Sequence, residues 1–344
     1  MGKARCELHG FAVILTVTLQ AMALFGSAYC GEPIATPICV SKLKSHGGFD
    51  MRFSPDGRFL GTSECAFWDV RTGKYVDLPE MREWMTASGS MPRSLTFDFS
   101  PDGKRIATGC QDGLVRLWDF TTGQREKDLI GIASPIRLVR FAPDGKHLTA
   151  WYHEVGVLST WNLEFPERAA ETVRLGSPGV MGALSQDVRY FAFSRSRHGD
   201  VELWDIPLGQ LRHTLHSNSE QVFAITFSLN GTRVAVGSRD NPARVWDTEK
   251  GEEVLRIEHR EGGEWFFPDG IHALAFSPNA EYLACGDRQG VRICDAHSGK
   301  LIFDLNVQPK PSVRELSFSS DGKALAVIPQ RGLIELWTMP VAPR

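Results

Sequence analysis

The string from Phe97 to Gly123, FDFSPDGKRIATGCQDGLVRLWDFTTG, returns in degraded form six more times along a chain of 344 residues. A chain that repeats a unit of this size stacks its units around one shared core. One large folded body is therefore expected, not the two domains that the length alone would suggest. Leu95, Phe97 and Phe99 alternate with Thr96 and Asp98, so the first stretch of the unit reads as a strand with one apolar face. Ser100-Pro101-Asp102-Gly103 suits a type I turn. Arg105 to Gly109 is the returning strand, Gln111-Asp112-Gly113 a second tight turn, and Val115 to Trp118 a third strand closed by Asp119. Thr121-Thr122-Gly123 then leads into a fourth, less regular strand.

The units can be counted by this turn and by the aromatic that ends each third strand. Phe53-Ser54-Pro55-Asp56-Gly57 leads to Trp68-Asp69, the master copy to Trp118-Asp119, and Phe141-Ala142-Pro143-Asp144-Gly145 to Trp161-Asn162. The fourth turn is worn to Ser185-Gln186-Asp187 but still precedes Leu203-Trp204-Asp205. Phe227-Ser228-Leu229-Asn230-Gly231 leads to Trp246-Asp247, Phe276-Ser277-Pro278-Asn279 to Cys294-Asp295, and Phe318-Ser319-Ser320-Asp321-Gly322 to Trp337-Thr338. These positions follow one another by 50, 43, 43, 42, 48 and 43 residues, close to one four-stranded unit each.

Leu117-Trp118-Asp119, Leu203-Trp204-Asp205 and Val245-Trp246-Asp247, each after a Ser-Pro-Asp-Gly-type hairpin, resemble the WD-repeat (WD40) β-propellers. The resemblance runs from Ile38 to Trp337 and implies an all-β, seven-bladed propeller of four-stranded antiparallel blades. Trp68, Trp118, Trp161, Trp204, Trp246 and Trp337 are its structural signature. The chain stops shortly after the third strand of unit seven, and the resemblance implies that an N-terminal strand completes that blade. Ile38 to Leu43 stands where that strand is needed, and such closure leaves no free inner edge. The Gly-His pair that the family usually carries ahead of each first strand is missing, and with it the histidine network. The hairpin from Leu60 to Asp69 is short, so an irregular first blade is expected.

The propeller is assigned to residues 34–340, and residues 1–28 to a signal peptide or membrane anchor. Lys3 and Arg5 precede a run of 16 mostly apolar residues from Phe11 to Gly26, and Gly26-Ser27-Ala28 offers small residues for cleavage. The run is short of the roughly 20 residues that span a bilayer. This reading makes the protein secreted or periplasmic, with an uncleaved N-terminal anchor as the alternative and the only membrane contact. Tyr29 ahead of Cys30 argues against a lipoprotein site. In an oxidising compartment Cys285 and Cys294, on adjacent strands, are a conceivable bridge; small buried core residues are the plainer reading.

A net charge of -3 with 23% charged residues leaves no footprint for nucleic acid. No catalytic, phosphate-binding or metal-binding string occurs, so no cofactor, metal or catalytic residue is expected. His153-Glu154 and the pair His213 and His216 read as solvated polar residues. Binding surfaces are better marked. In the family architecture the second hairpin of each blade and the blade-joining loops share one face, called the top. Met81, Trp84 and Met85 at helical spacing in the loop from Leu78 to Ser94, and Trp265-Phe266-Phe267 in a later one, are either exposed anchors or packing for their own blades. Arg195, Arg197, His198, Arg239, Arg288 and Arg331 put arginine on the same face of four consecutive blades, as a basic arc or as solvated turn residues. The expected function is a non-catalytic protein-interaction platform using this face. The alternative is a propeller enzyme of the lactonase or quinoprotein sort acting at the central channel.

Overall fold

The computed structural model describes residues 38–43, 50–87, 94–195, 199–239, 242–258, 270–305, 307, 312–330 and 333–339. They form seven four-stranded antiparallel sheets, arranged as the blades of a propeller. The expected signal segment, residues 1–28, lies outside the described residues. Six blades take their strands in chain order, and the seventh takes its outermost strand, Ile38–Leu43, from the other end of the chain. That strand pairs antiparallel with Ile334–Thr338, Leu43 opposite Ile334, with a bulge between Cys39 and Ser41. Leu43 is buried among Met51, Leu60, Trp68 and Leu336, so the borrowed strand joins blade 7 to blade 1 through the core.

The turn chemistry read from the sequence is what reverses each blade. Ser100 Oγ donates to Asp102 Oδ1 at 2.6 Å and accepts the Arg105 N–H at 2.9 Å, tying both ends of the turn to one hydroxyl. The same pair recurs at Ser54 and Asp56, Ser185 and Asp187, Ser228 and Asn230, Ser277 and Asn279, and Ser319 and Asp321. The fourth turn position adopts a left-handed backbone, and two units place a side chain there. Val188 sits at φ 59° and Ala280 at φ 55°, where glycine avoids the steric cost. At the far end of the third strand the signature aspartate closes the next turn. Asp119 accepts the N–H groups of Thr121 at 2.8 Å and Thr122 at 2.7 Å. The Thr122 N–H holds the Asp119 carboxyl below its ordinary range, and Asp69 and Asp295 are lowered in the same way by Thr72 and Ser298. These turns contribute stability above the ordinary carboxylate pKa and lose it as pH falls through the folded value.

The tryptophan signature is buried, with Trp118 fully enclosed and only Trp204 half-buried. In blades 2, 4 and 7 the signature indole N–H finds another partner in place of the missing histidine network. Trp118 Nε1 donates to Thr108 Oγ1 at 3.1 Å. Trp204 and Trp337 donate instead to Glu202 and Glu335 two residues earlier, at 2.9 and 3.2 Å. Between blades, bulk is exchanged for space. In blade 2 a Cβ on Gly109 would lie 2.5 Å from Ile136, whereas in blade 3 the equivalent residue is Trp151, and the space it needs comes from Gly182 in blade 4.

Blade 1 is irregular, as its short hairpin implies, with strands of only three, four, three and two residues. A helix, Pro79–Ala87, follows its stunted outer strand. Two outcomes test this account. Val188→Gly should raise stability by about 1 kcal/mol, read as a melting temperature about 2 °C higher. Deleting Ile38–Leu43 should cost about 3 kcal/mol or more and lower one cooperative transition, because Leu43 and a full strand ladder are lost from the shared core; calorimetry showing only a minor separate transition would contradict closure through the core.

Candidate functional site: the top face and the central channel

The loops between second and third strands in blades 4, 5 and 6 share one end of the ring, and they carry Arg195, Arg239 and Arg288. Arg288 is exposed and Arg239 half-buried. Arg195 is exposed and ion-paired with Glu202 at 2.5 Å, so its charge reinforces the Trp204 network as well as facing solvent. Arg197, His198, Arg331, Trp265, Phe266 and Phe267 lie outside the described residues, as does the side chain of Met85.

Trp84 requires a correction. The helix forms where the spacing predicts it, but it lies on the flank of the ring, not on the top rim. Its start packs at Gly123, in the turn between the third and fourth strands of blade 2, and Glu80 accepts the Arg125 N–H at 3.4 Å. That turn is at the end of the blade opposite the Gln111-Asp112-Gly113 hairpin. Met81 is fully buried among Phe67, Phe97 and Trp118. The Trp84 ring lies 5.3 Å from Trp118, with the Arg116 guanidinium 4.9 Å above it. The outer strand of blade 1, Tyr75–Val76, is too short to cover these groups, and the helix covers them instead.

The innermost strands are Met51–Phe53, Ser94–Phe99, Ile136–Phe141, Met181–Leu184, Val222–Phe227, Ala273–Phe276 and Val313–Phe318, and residues of all but Ser94–Phe99 line a central cavity of about 600 Å³. The residue just before each terminal Phe or Leu of these strands forms one layer. It is Arg52, Asp98 and Arg140 in blades 1 to 3, and Ala183, Thr226, Ala275 and Ser317 in blades 4 to 7. Arg52 lies 3.5 Å from Asp50 and 3.8 Å from Asp98. Asp98 accepts the Phe141 N–H at 2.8 Å, and Asp50 accepts the Thr96 hydroxyl at 2.8 Å. Burial together with the neighbouring Arg52 draws the Arg140 guanidinium down to about 10, so it stays charged at neutral pH. Glu315 fronts the lumen and is half-buried, yet protein surrounds it; burial, then the Asp50 charge, push it up to about 8. Around the upper mouth the rings of Phe223 and His272 stack 4.5 Å apart.

The sequence reading named the central channel only for its alternative and singled out none of these residues. The available signal was the charge at one repeat position in three consecutive units, visible only when the units are aligned on their turns. Cys285 and Cys294 are buried free thiols, and the register sets Cys285 opposite Arg292 and Cys294 opposite Leu283. Burial raises the pKa of both. His216 meets Asp200 at 3.1 Å, His213 the Glu249 carbonyl at 3.0 Å and His153 the Pro135 carbonyl at 3.3 Å. Among the described residues no group of three His, Cys, Asp or Glu side chains is placed to hold a metal ion, and no helix is long and apolar enough to cross a membrane.

The WD40 family model, "WD domain, G-beta repeat", matches residues 86–119 and 209–247. The chain thus carries WD repeats within a seven-bladed propeller. It is similar to "Autophagy-related protein 16" of Arabidopsis thaliana, 24% identical over 324 residues, which cover 91% of this chain and 60% of that protein. The expectation of a secreted or periplasmic protein is corrected here: autophagy takes place inside the cell, and a likeness across nearly the whole chain points away from secretion.

The channel also sets a pH dependence. Glu315 stays neutral in the folded ring up to about 8 but ionises near 4.5 when unfolded, so its penalty grows as pH rises between those values. Glu315→Gln should melt with the parent at pH about 4.5 and higher by about 3 °C at pH about 9; equal melting at both would place the carboxyl in open water.

Proposed function

Proceeding from a closed seven-bladed ring that carries WD repeats, we propose that this protein is a non-catalytic interaction platform whose protein partner docks on the top face. The observation that carries this reading is the division of labour among the residues. The signature tryptophans and aspartates are consumed in holding turns and blades, while the second-hairpin loops of consecutive blades present Arg195, Arg239 and Arg288 at one end of a rigid scaffold. Loops on such a frame are the natural place for recognition. Arginine there suits carboxylates on a partner, and the exposed Arg288 can offer two parallel hydrogen bonds. Trp265, Phe266 and Phe267, in the loop that joins blades 5 and 6, are the proposed aromatic anchors. The resemblance to an autophagy-related protein supports a cytoplasmic assembly role.

The test is affinity capture from the native host with the full chain, a double variant Arg239→Glu and Arg288→Glu, and a control, Leu208→Ser, on an exposed turn at the opposite end. A partner identified with the parent should be retained by the control and weakened about tenfold or more by the charge reversals, as loss of charge-assisted bonds implies. Equal retention by all three chains would remove the top face from the reading.

A further inference from the structure

We propose that the central channel is a binding site for a small organic carboxylate, its head held by Arg140 and its apolar body laid against Met181, Phe223 and Ile225. Arg140 Nη1 donates to Gln186 Oε1 at 3.1 Å, whereas its Nε is buried without a hydrogen-bond partner. Among the described residues no carboxylate lies within ion-pairing distance of it. Asp98 has one oxygen on the Phe141 N–H and the other 3.8 Å from Arg52, and Arg140 and Arg52 both favour its ionised form. The half-buried Arg140 guanidinium lines the cavity, so its accessible part can donate to a carboxylate oxygen of a ligand.

The cavity wall supplies the remaining features. Its volume of about 600 Å³ is that of a small-molecule site. Four arginines, Arg52, Arg137, Arg140 and Arg314, line it against two carboxyl groups, Asp50 and Glu315, so a single added negative charge is welcome. Glu315, largely protonated at neutral pH, does not oppose it. A dianion such as phosphate is disfavoured, because Asp50 and Asp98 stand beside Arg52 in the same sector. Across the lumen Met181, Phe223 and Ile225 are half-buried and apolar, and the small Ala183 and Thr226 leave room before them. One wall is polar and cationic and the other apolar, which fits a short branched acid better than a bare ion.

Isothermal titration calorimetry on the full chain tests this with 4-methylpentanoate, its neutral amide 4-methylpentanamide, and inorganic phosphate. The acid should bind about tenfold or more tighter than the amide and than phosphate, since one desolvated charge-assisted pair is worth that factor. Arg140→Gln should remove that advantage, Arg288→Gln on the top face should keep it, and Thr226→Met, which narrows the lumen without changing charge, should weaken the acid. Acid and amide binding alike, phosphate binding as tightly as the acid, or no heat from any probe at millimolar concentration would overturn the proposal. So would full affinity in a folded Arg140→Gln variant; if that variant does not fold, undiminished affinity in Thr226→Met overturns it as well.

Discussion

Everything in this ring depends on the pairing of Ile38–Leu43 with Ile334–Thr338. A sheet blade standing alone exposes two edges, and a row of blades would end in an uncovered face; closing the ring covers both faces of every blade at once. The join is electrostatic as well as apolar. Lys42 meets the buried Glu335 carboxylate at 2.8 Å, and the same carboxylate receives the Trp337 indole N–H at 3.2 Å. Lys42 is half-exposed, so solvent screens much of its attraction. Its larger effect is to keep Glu335 from being a buried charge without a partner. The signature tryptophan of the last blade is thus held in place by a residue from the opposite end of the chain.

That coupling shows how a propeller can lose its usual polar network and keep its fold. The requirement is a partner for the signature indole N–H, and it can be met locally. Thr108 does this in blade 2, Glu202 in blade 4 and Glu335 in blade 7. A glutamate in this role brings a buried charge, which then needs its own cation: Arg195 for Glu202, Lys42 for Glu335. Where the same repeat position is Arg116, Arg244 or Arg292, the charge is inverted and its partners come from Asp112, Glu253 and Asp287. The hairpin arginine that reads as a surface feature in the sequence is, at Arg195, also part of the blade interior.

How much was legible follows from how local each cause is. The seven units and their turns could be read because a serine, a carboxylate or amide and a left-handed fourth residue close six of the seven turns within six residues, with Ala142 in place of the serine in blade 3. The helix after blade 1 was legible as a helix but not in its place. Its place depends on how much of Trp118 and Phe67 a two-residue outer strand fails to cover, which is a tertiary quantity. The channel was the least legible. Arg52, Asp98 and Arg140 lie more than forty residues apart in successive units, and each alone resembles an ordinary polar residue on a strand. They meet only because the ring brings every innermost strand to one axis.

The same geometry explains why the charges collect on one side. A propeller axis is the one place where all blades approach closely, so long side chains cannot point there from every blade. In blades 4 to 7 the layer is filled by Ala183, Thr226, Ala275 and Ser317, and this leaves the lumen open enough for Arg52 and Arg140 to extend into it from blades 1 and 3. Two guanidiniums on that side repel each other, and Asp98 in the blade between them offsets this. The charged sector also ties the blades together: Asp98 in blade 2 accepts the Phe141 N–H of blade 3, and Asp50, ahead of the first strand of blade 1, accepts the Thr96 hydroxyl of blade 2.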